Sequence, residues 1–346
     1  MSTHPLLGTR LPIVQAPMAG VQDSRLALAV CRAGALGSVP AAMLGPDALR
    51  AELQTMVEHS AGPWNVNFFC HANPEPDDHR EQDWRSALTP YYQELGLNIG
   101  DVQAGAGRRP FDAATLEILR EFRPPVVSFH FGLPAPELVA ELKRWGTVIL
   151  TTATTVAEAV WLEAHGADAV IAQGLEAGGH RGMFLSDDIT SQMGTFALLP
   201  QVAAAVRVPV IAAGGIADSA GISAAMALGA AAVQMGTAFL LCPEASTSQL
   251  HRAALASESA VHTALTNVFS GRPARGIVNR VMRELGPMSA VAPAFPQAGV
   301  ALAPLRKAAE ARGSSDFSPL WSGQNACGCQ AIAAELLVRR LAGEPD

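Results

Sequence analysis

The residues best equipped for proton transfer in this chain form the segment Gln173-Gly174-Leu175-Glu176-Ala177-Gly178-Gly179-His180-Arg181-Gly182. Imidazole is the side chain whose unperturbed pKa lies nearest neutrality, which suits His180 to the role of general base. Gly178 and Gly179 lack Cβ, so their backbone N–H groups can approach a ligand closely and positive φ is open to them. The same segment also reads as a plain glycine-rich turn carrying a solvated histidine, and the loop alone leaves both readings open. Two further loops, Gly214-Gly215-Ile216 and Gln234-Met235-Gly236-Thr237, present side-chain-free backbone and a hydroxyl, which suit a phosphate dianion. Asn67 and Gln173 are amides that donate and accept at once, as the N–C=O edge of an isoalloxazine requires. Pro17-Met18 add backbone and a polarisable thioether against a planar ring. His130 could polarise a substrate from the opposite wall, or serve as a supporting core residue.

Other candidates are weaker. Residues 271–280 (Gly-Arg-Pro-Ala-Arg-Gly-Ile-Val-Asn-Arg) could meet an anion, although a solvated or packing role is the plainer reading. The remaining histidines are expected at the surface. The five cysteines are odd in number and irregularly spaced, so no disulfide framework is expected. Cys327-Gly328-Cys329 lacks the two-residue spacing of a zinc knuckle, and no metal site is expected.

These residues need a scaffold, and the hydrophobic pattern describes one. Short apolar runs at 13–18, 35–39, 64–69, 126–131, 148–152, 168–172, 208–216 and 231–237 alternate with helical periodicity at 24–33, 113–122, 156–165, 196–206 and 219–228. Further helices start at Pro46, with Leu49, Leu53, Met56 and Val57 along one face, and at Pro136. The strands are apolar throughout, as where both faces are covered. A doubly wound sheet shares this rhythm, but the count of eight and the glycines after the seventh and eighth strands favour an α/β TIM (β/α)8 barrel. Candidate site residues then gather at the C-terminal mouth.

Residues 71–112 break the rhythm and are too long for an ordinary loop. They read as an insertion after the third strand that crosses the barrel mouth as a candidate lid, helical around 84–95. Residues 245–321 form a less regular helical and loop extension, with helices expected near 249–257 and 302–311. A final helix at about 326–341 is expected to close the barrel. The domain reading is therefore a barrel of 1–244 plus 322–346, interrupted by 71–112 and covered by 245–321.

Hydrophobic residues make up 49% of the chain and charged residues 16%, which describes a globular protein with a large core. A net charge of −7 argues against nucleic acid or an anionic membrane as partner. No apolar run reaches the length of a membrane span. The first residues carry no charged and apolar leader, so the cytoplasm is the expected compartment.

Gln15-Ala16-Pro17-Met18, Trp64-Asn65-Val66-Asn67-Phe68, Phe129-His130-Phe131-Gly132, the 173–182 loop, Ala212-Ala213-Gly214-Gly215-Ile216, Gln234-Met235-Gly236-Thr237 and Ser322-Gly323-Gln324 together resemble the nitronate monooxygenases, formerly 2-nitropropane dioxygenases. The resemblance spans nearly the whole chain and looks most like the class I branch, which has both the Gly-Gly-His-Arg-Gly loop and the late Gly-Gln. It implies non-covalent FMN held by Asn67, Gln173, Gly178, Gly179, Gly215, Gln234, Met235, Gly236 and Thr237, with Pro17, Met18, Gly214, Gly323 and Gln324 nearby. His180 would take the α-carbon proton of a neutral nitroalkane and would only position a preformed nitronate. The family oxidises nitronates, propionate 3-nitronate above all, with O2 to carbonyl compounds plus nitrite or nitrate, which implies detoxification. The partners implied are a small nitro compound and O2, with the protein a monomer or homodimer.

One position departs from the family. A tyrosine often precedes its final Gly-Gln, whereas Trp321 and Ser322 stand here and the only tyrosines, Tyr91 and Tyr92, lie in the insertion. The alternative reading is an FMN-dependent NAD(P)H oxidoreductase of the enoyl-ACP reductase or quinone reductase type. More distant are a non-redox barrel for a phosphorylated metabolite and a flavin-binding protein without turnover.

Overall fold

The computed structural model describes residues 3–103 and 108–345. In chain order its elements are β1 (Ile13–Gln15), α1 (Ser24–Arg32), β2 (Gly37–Pro40), α2 (Pro46–His59), β3 (Trp64–Phe69), α3 (Asp78–Leu95), α4 (Ala113–Phe122), β4 (Val126–His130), α5 (Pro136–Arg144), β5 (Val148–Ala153), α6 (Val156–Ala164) and β6 (Ala169–Gln173). Then come β7 (Gly179–His180), α7 (Thr195–Ala205), β8 (Val210–Ala213), α8 (Ser219–Ala227), β9 (Ala232–Met235), α9 (Gln249–Leu255), β10 (Thr263–Thr266), β11 (Ala274–Ile277), α10 (Arg280–Glu284), α11 (Ala298–Ala311) and α12 (Ala334–Leu341).

Eight parallel strands run in the order β1-β9-β8-β6-β5-β4-β3-β2. Val14 of β1 bridges Leu36, next to β2, and two 2.9 Å bonds (Leu36 N to Ile13 O, Gln15 N to Leu36 O) close the ring. This is the TIM (β/α)8 barrel that the strand rhythm predicts. Leu7, Val14, Leu36, Val126, Leu150, Ile171 and Ile211 fill one end of its interior. A second layer of core lies between strands and helices, where Leu26, Val30, Val170, Leu199 and Val233 meet. Side chains at the helix starts fix where helices begin. Thr155 and Glu158 form a reciprocal capping box on α6, and Asp23 and Asp218 cap α1 and α8.

The insertion and the extension share one core. Trp84, Leu88 and Tyr92 of α3 pack with Ala298, Ala301, Leu302 and Leu305 of α11. Trp84 Nε1 donates to Ala298 O at 3.0 Å and Tyr92 Oη to Ala301 O at 2.5 Å. No helix among the described residues is long and apolar enough to cross a membrane.

Several expectations need correction. Val57 is exposed, because at 100° per residue it lies about 80° around the helix from Leu49, past the edge of the buried face. The last helix starts at Ala334 rather than 326, since a Cβ on Gly328 would lie 2.2 Å from Ala217 O and the chain there runs flat against the barrel. Its role also differs: β1 and β2 close the barrel, and α12 packs outside it, with Leu337 and Val338 in the outer core. Residues 263–277 are not irregular. They form β10 and β11, which pair antiparallel with β7 in a three-stranded sheet, Ala274 opposite His180 and Arg275 opposite Gly179.

Candidate active site

The C-terminal ends of the barrel strands open into a cleft with about 1300 Å³ of empty space, its open mouth included. Pro17, Met18, Asn67, His130, Gln173, Gly178, Gly179, His180, Gly214, Gly215, Gln234, Met235, Gly236, Thr237 and Gly323 all line it. Gln324 does not: its side chain is exposed, and its backbone N–H donates to Glu176 O at 2.9 Å.

His180 sits on β7, so sheet pairing rather than a free turn holds its backbone. Two donors fix its carbonyl, Gln173 Nε2 at 2.9 Å and His130 Nε2 at 3.2 Å. Gln173 Oε1 in turn accepts from Gly182 N at 2.8 Å, so much of this amide is spent on the loop itself. Behind the loop, the fully buried Arg181 donates to Gln173 O, Gly174 O and Gln192 Oε1 at 2.6–2.9 Å. Burial lowers its pKa to about 9.

The His180 ring is boxed by Phe69, Phe131, Phe295 and Trp321, with centroids 6.2, 6.0, 5.5 and 5.5 Å away. Burial first, then the positive charge of Arg108 and the neighbouring His130, Arg272 and His71, pushes its pKa well below 6.5. The imidazole is therefore neutral at neutral pH. Its Nε2 lies 2.8 Å from Ser270 Oγ, and that hydroxyl lies 3.4 Å from Arg272 O, which can only accept. Arg272 N lies 3.5 Å from the same hydroxyl, so Ser270 can accept from Nε2–H or donate to Nε2, and the first of these tautomers leaves Nδ1 with its lone pair. Among the described residues Nδ1 has no hydrogen-bond partner.

His130 has no free nitrogen to offer a substrate. Its Nδ1 meets Thr152 Oγ1 at 3.1 Å, its Nε2 holds the His180 carbonyl, and burial lowers its pKa to about 4. It supports His180 rather than facing it across the cleft. Two histidines expected at the surface are buried instead. His251 lines the cleft, bonds Trp321 O at 3.1 Å and is pushed by burial to about 4. His71 bonds Arg108 O at 3.1 Å and packs edge-on against Phe295. His71 lies on a segment without a clear period, whereas His251 lies on the helix expected near 249–257, one turn before the buried Leu255, a spacing that could have signalled its burial.

The glycine loops meet where the late segment passes over them. A Cβ on Gly178 would lie 2.5 Å from Gly323 N and 2.6 Å from Ser322 C, so only glycine fits. Gly214 and Gly215 adopt φ of +114° and +73°, which favours glycine. Gly323 N donates to Thr237 Oγ1 at 2.9 Å, leaving that hydroxyl able to donate outward. Among the described residues the backbone N–H groups of Gly215, Gly236 and Thr237 donate to nothing in the chain. Gln234 Oε1 is buried without a partner, although buried polar atoms are normally paired. Asn67 Nδ2 donates to Ser128 Oγ and O at 2.9 and 3.2 Å. Unspent donors on glycine backbone beside an orphaned amide make a cradle for an anionic, polar-edged ligand.

Three residues around His180 went unnoticed in the sequence. Arg108 ends the insertion with its guanidinium 5.3 Å over the Phe295 ring and no hydrogen-bond partner among the described residues. Ser270 and Phe295 belong to the extension. The arginine-rich stretch proves to be structural: Arg275 is buried and donates to Leu175 O at 2.9 Å, and Arg272 stacks 4.3 Å over Phe131.

A sequence model of the nitronate monooxygenase family matches residues 3–344. A nitronate monooxygenase of Paraburkholderia phytofirmans is 43% identical over 346 residues, covering 98% of this chain and 93% of that one. Among solved structures, a nitroalkane oxidase from Streptomyces ansochromogenes shares 42% identity, with a TM-score of 0.89 over 97% of this chain and 96% of that one. FabK from Thermotoga maritima is more distant, at 28% identity and a TM-score of 0.73 over 99% and 96%. A neutral histidine in an aromatic box, a cradle of glycine loops and full-length likeness agree: this chain belongs to the nitronate monooxygenase family, a family of flavin-dependent oxidoreductases.

Proposed function

We propose that this chain binds FMN in the cleft and oxidises alkyl nitronates, propionate 3-nitronate among them, with O2 to carbonyl compounds plus nitrite or nitrate. Neutral nitroalkanes enter the same reaction once His180 has removed the α-proton. The observation that carries this reading is a neutral His180 at the cleft whose Nδ1 has no hydrogen-bond partner among the described residues.

The residues present fit FMN. Backbone N–H groups of Gly215, Gly236 and Thr237 would hold its phosphate, the orphaned Gln234 amide and Asn67 would meet polar ring edges, and Met18 would lie against the ring. When bound, FMN supplies the redox chemistry and the reaction with O2. The protein supplies position and proton transfer. A C–H bond at the α-carbon breaks, its proton passes to Nδ1 of His180, and the electron pair moves onto the nitro group as a nitronate. The imidazolium so formed is costly in this apolar box unless the new anion stays beside it. Arg108, without an ion-pair partner among the described residues, stabilises that anion as well. For a preformed nitronate the proton step drops out.

Anaerobic mixing of the purified protein with propionate 3-nitronate, and separately with NADH or NADPH, tests the reading through the flavin absorbance. Rapid bleaching by the nitronate with nicotinamide inert is the expected result. Rapid bleaching by NAD(P)H alone would move the chain to the NAD(P)H oxidoreductase alternative.

A further inference from the structure

Beside the cleft lies a second cavity of about 770 Å³ of empty space, its opening included. Arg108 and Trp321 stand in the walls of both, and Ser270, which meets His180 Nε2, lines the second. The rest of its wall is mostly apolar, with Phe269, Val300, Leu302 and Phe317. On α11, the short Ala303 leaves room where a longer side chain would project, and Gly299 lets the helix lie close against Phe269, whose O would stand 2.9 Å from a Cβ there. Charge is confined to two arginines. Arg306 is paired with Glu310 at 2.7 Å, whereas Arg108, at the junction, has no anionic partner among the described residues. A half-buried cation at the junction with apolar walls beyond it matches a ligand with an anionic head and an apolar tail.

We propose that this cavity is the tail pocket of the substrate site, so that the enzyme prefers nitronates whose alkyl chain is several carbons longer than that of nitroethane. The head group rests on the nitronate reading above; the tail pocket does not. Arg108 meets the anion, and the chain runs between Trp321 and α11.

Butanoate, hexanoate and octanoate serve as unreactive probes, titrated by calorimetry into the full-length, flavin-loaded protein. Each methylene that enters the pocket should tighten Kd about fourfold until the pocket is full. Val300→Phe and, as a milder second variant, Ala303→Leu narrow the cavity, and each should lower the octanoate-to-butanoate affinity ratio at least tenfold. The nitronates of nitroethane, 1-nitrobutane and 1-nitrohexane should show the same trend in kcat/KM. A flat length dependence in the unmodified protein, or a slope that both variants leave intact, overturns the proposal. If alkanoates show the trend while no nitronate is oxidised, the pocket stands and the nitronate reading falls. Oxidation of nitronates with no length dependence removes the tail pocket alone.

Discussion

Four aromatic rings around His180 and the cations Arg108 and Arg272 near it all oppose a charge on the imidazole. The deprotonated ring is the active base, so turnover of a neutral nitroalkane should persist as pH falls through 6.5. The acid limb of kcat/KM, which reports the free enzyme, should lie below that value. A limb at or above 6.5 in the pH–rate profile would contradict the environment described for this ring. His180→Asn should cost neutral nitroalkane about 10²–10⁴-fold in kcat/KM and a preformed nitronate far less. Equal losses with both substrates, compared side by side, would end the assignment of His180 as base. Ser270 acts through His180. Removing one hydrogen bond of about 1 kcal/mol with Ser270→Ala should lower nitroalkane kcat/KM by up to tenfold, and Ser270→Thr should restore most of it. Nitrogen-15 NMR of the imidazole reads the same point directly: Nε2 should carry the proton in the unmodified protein and share it with Nδ1 in the alanine variant.

At the scale of elements, the β6–β7 connection is held from three sides. Arg181 binds its carbonyls from behind, β11 pairs with β7 at one edge, and the 322–323 segment lies against Gly178. Gly178→Ala puts a methyl group where Gly323 N stands, so the late segment must move away from the cradle formed with Thr237. FMN affinity should fall at least tenfold in titrations of the apoprotein, with little change in the thermal unfolding of that apoprotein. An unaltered Kd would mean that the late segment plays no part in holding the cofactor.

Across the whole molecule, burial of several neutral histidines ties stability to pH. His130 and His251 take up a proton only near pH 4, against about 6.5 in the unfolded chain. Between those values the unfolded state binds more protons, so stability falls as pH falls and is fully present only above 6.5. Each contributes a loss of roughly 2 kcal/mol between pH 7 and 5, and the lowered pKa values of His180 and His71 act in the same direction. Urea unfolding at pH 7 and pH 5 should therefore show a clear drop in midpoint before the carboxylates begin to titrate. Equal midpoints would show that these rings are not kept neutral by the fold.

The sequence by itself determined the barrel, because its signals are local. Apolar runs and helical periodicity are set within a few residues, and β3 at 64–69 and α4 at 113–122 stand where the pattern puts them. It also marked His180 and the glycine loops, since glycine and histidine carry their chemistry wherever they are placed. Only the tertiary structure decided what surrounds them. The strand that orders His180 pairs with residues some ninety positions later. Arg108, Ser270 and Phe295 reach the surroundings of His180 from segments without a period, and whether His130, His71 or His251 is buried depends on neighbours distant in the chain. Contacts of that kind depend on how the elements pack, and no local pattern encodes them.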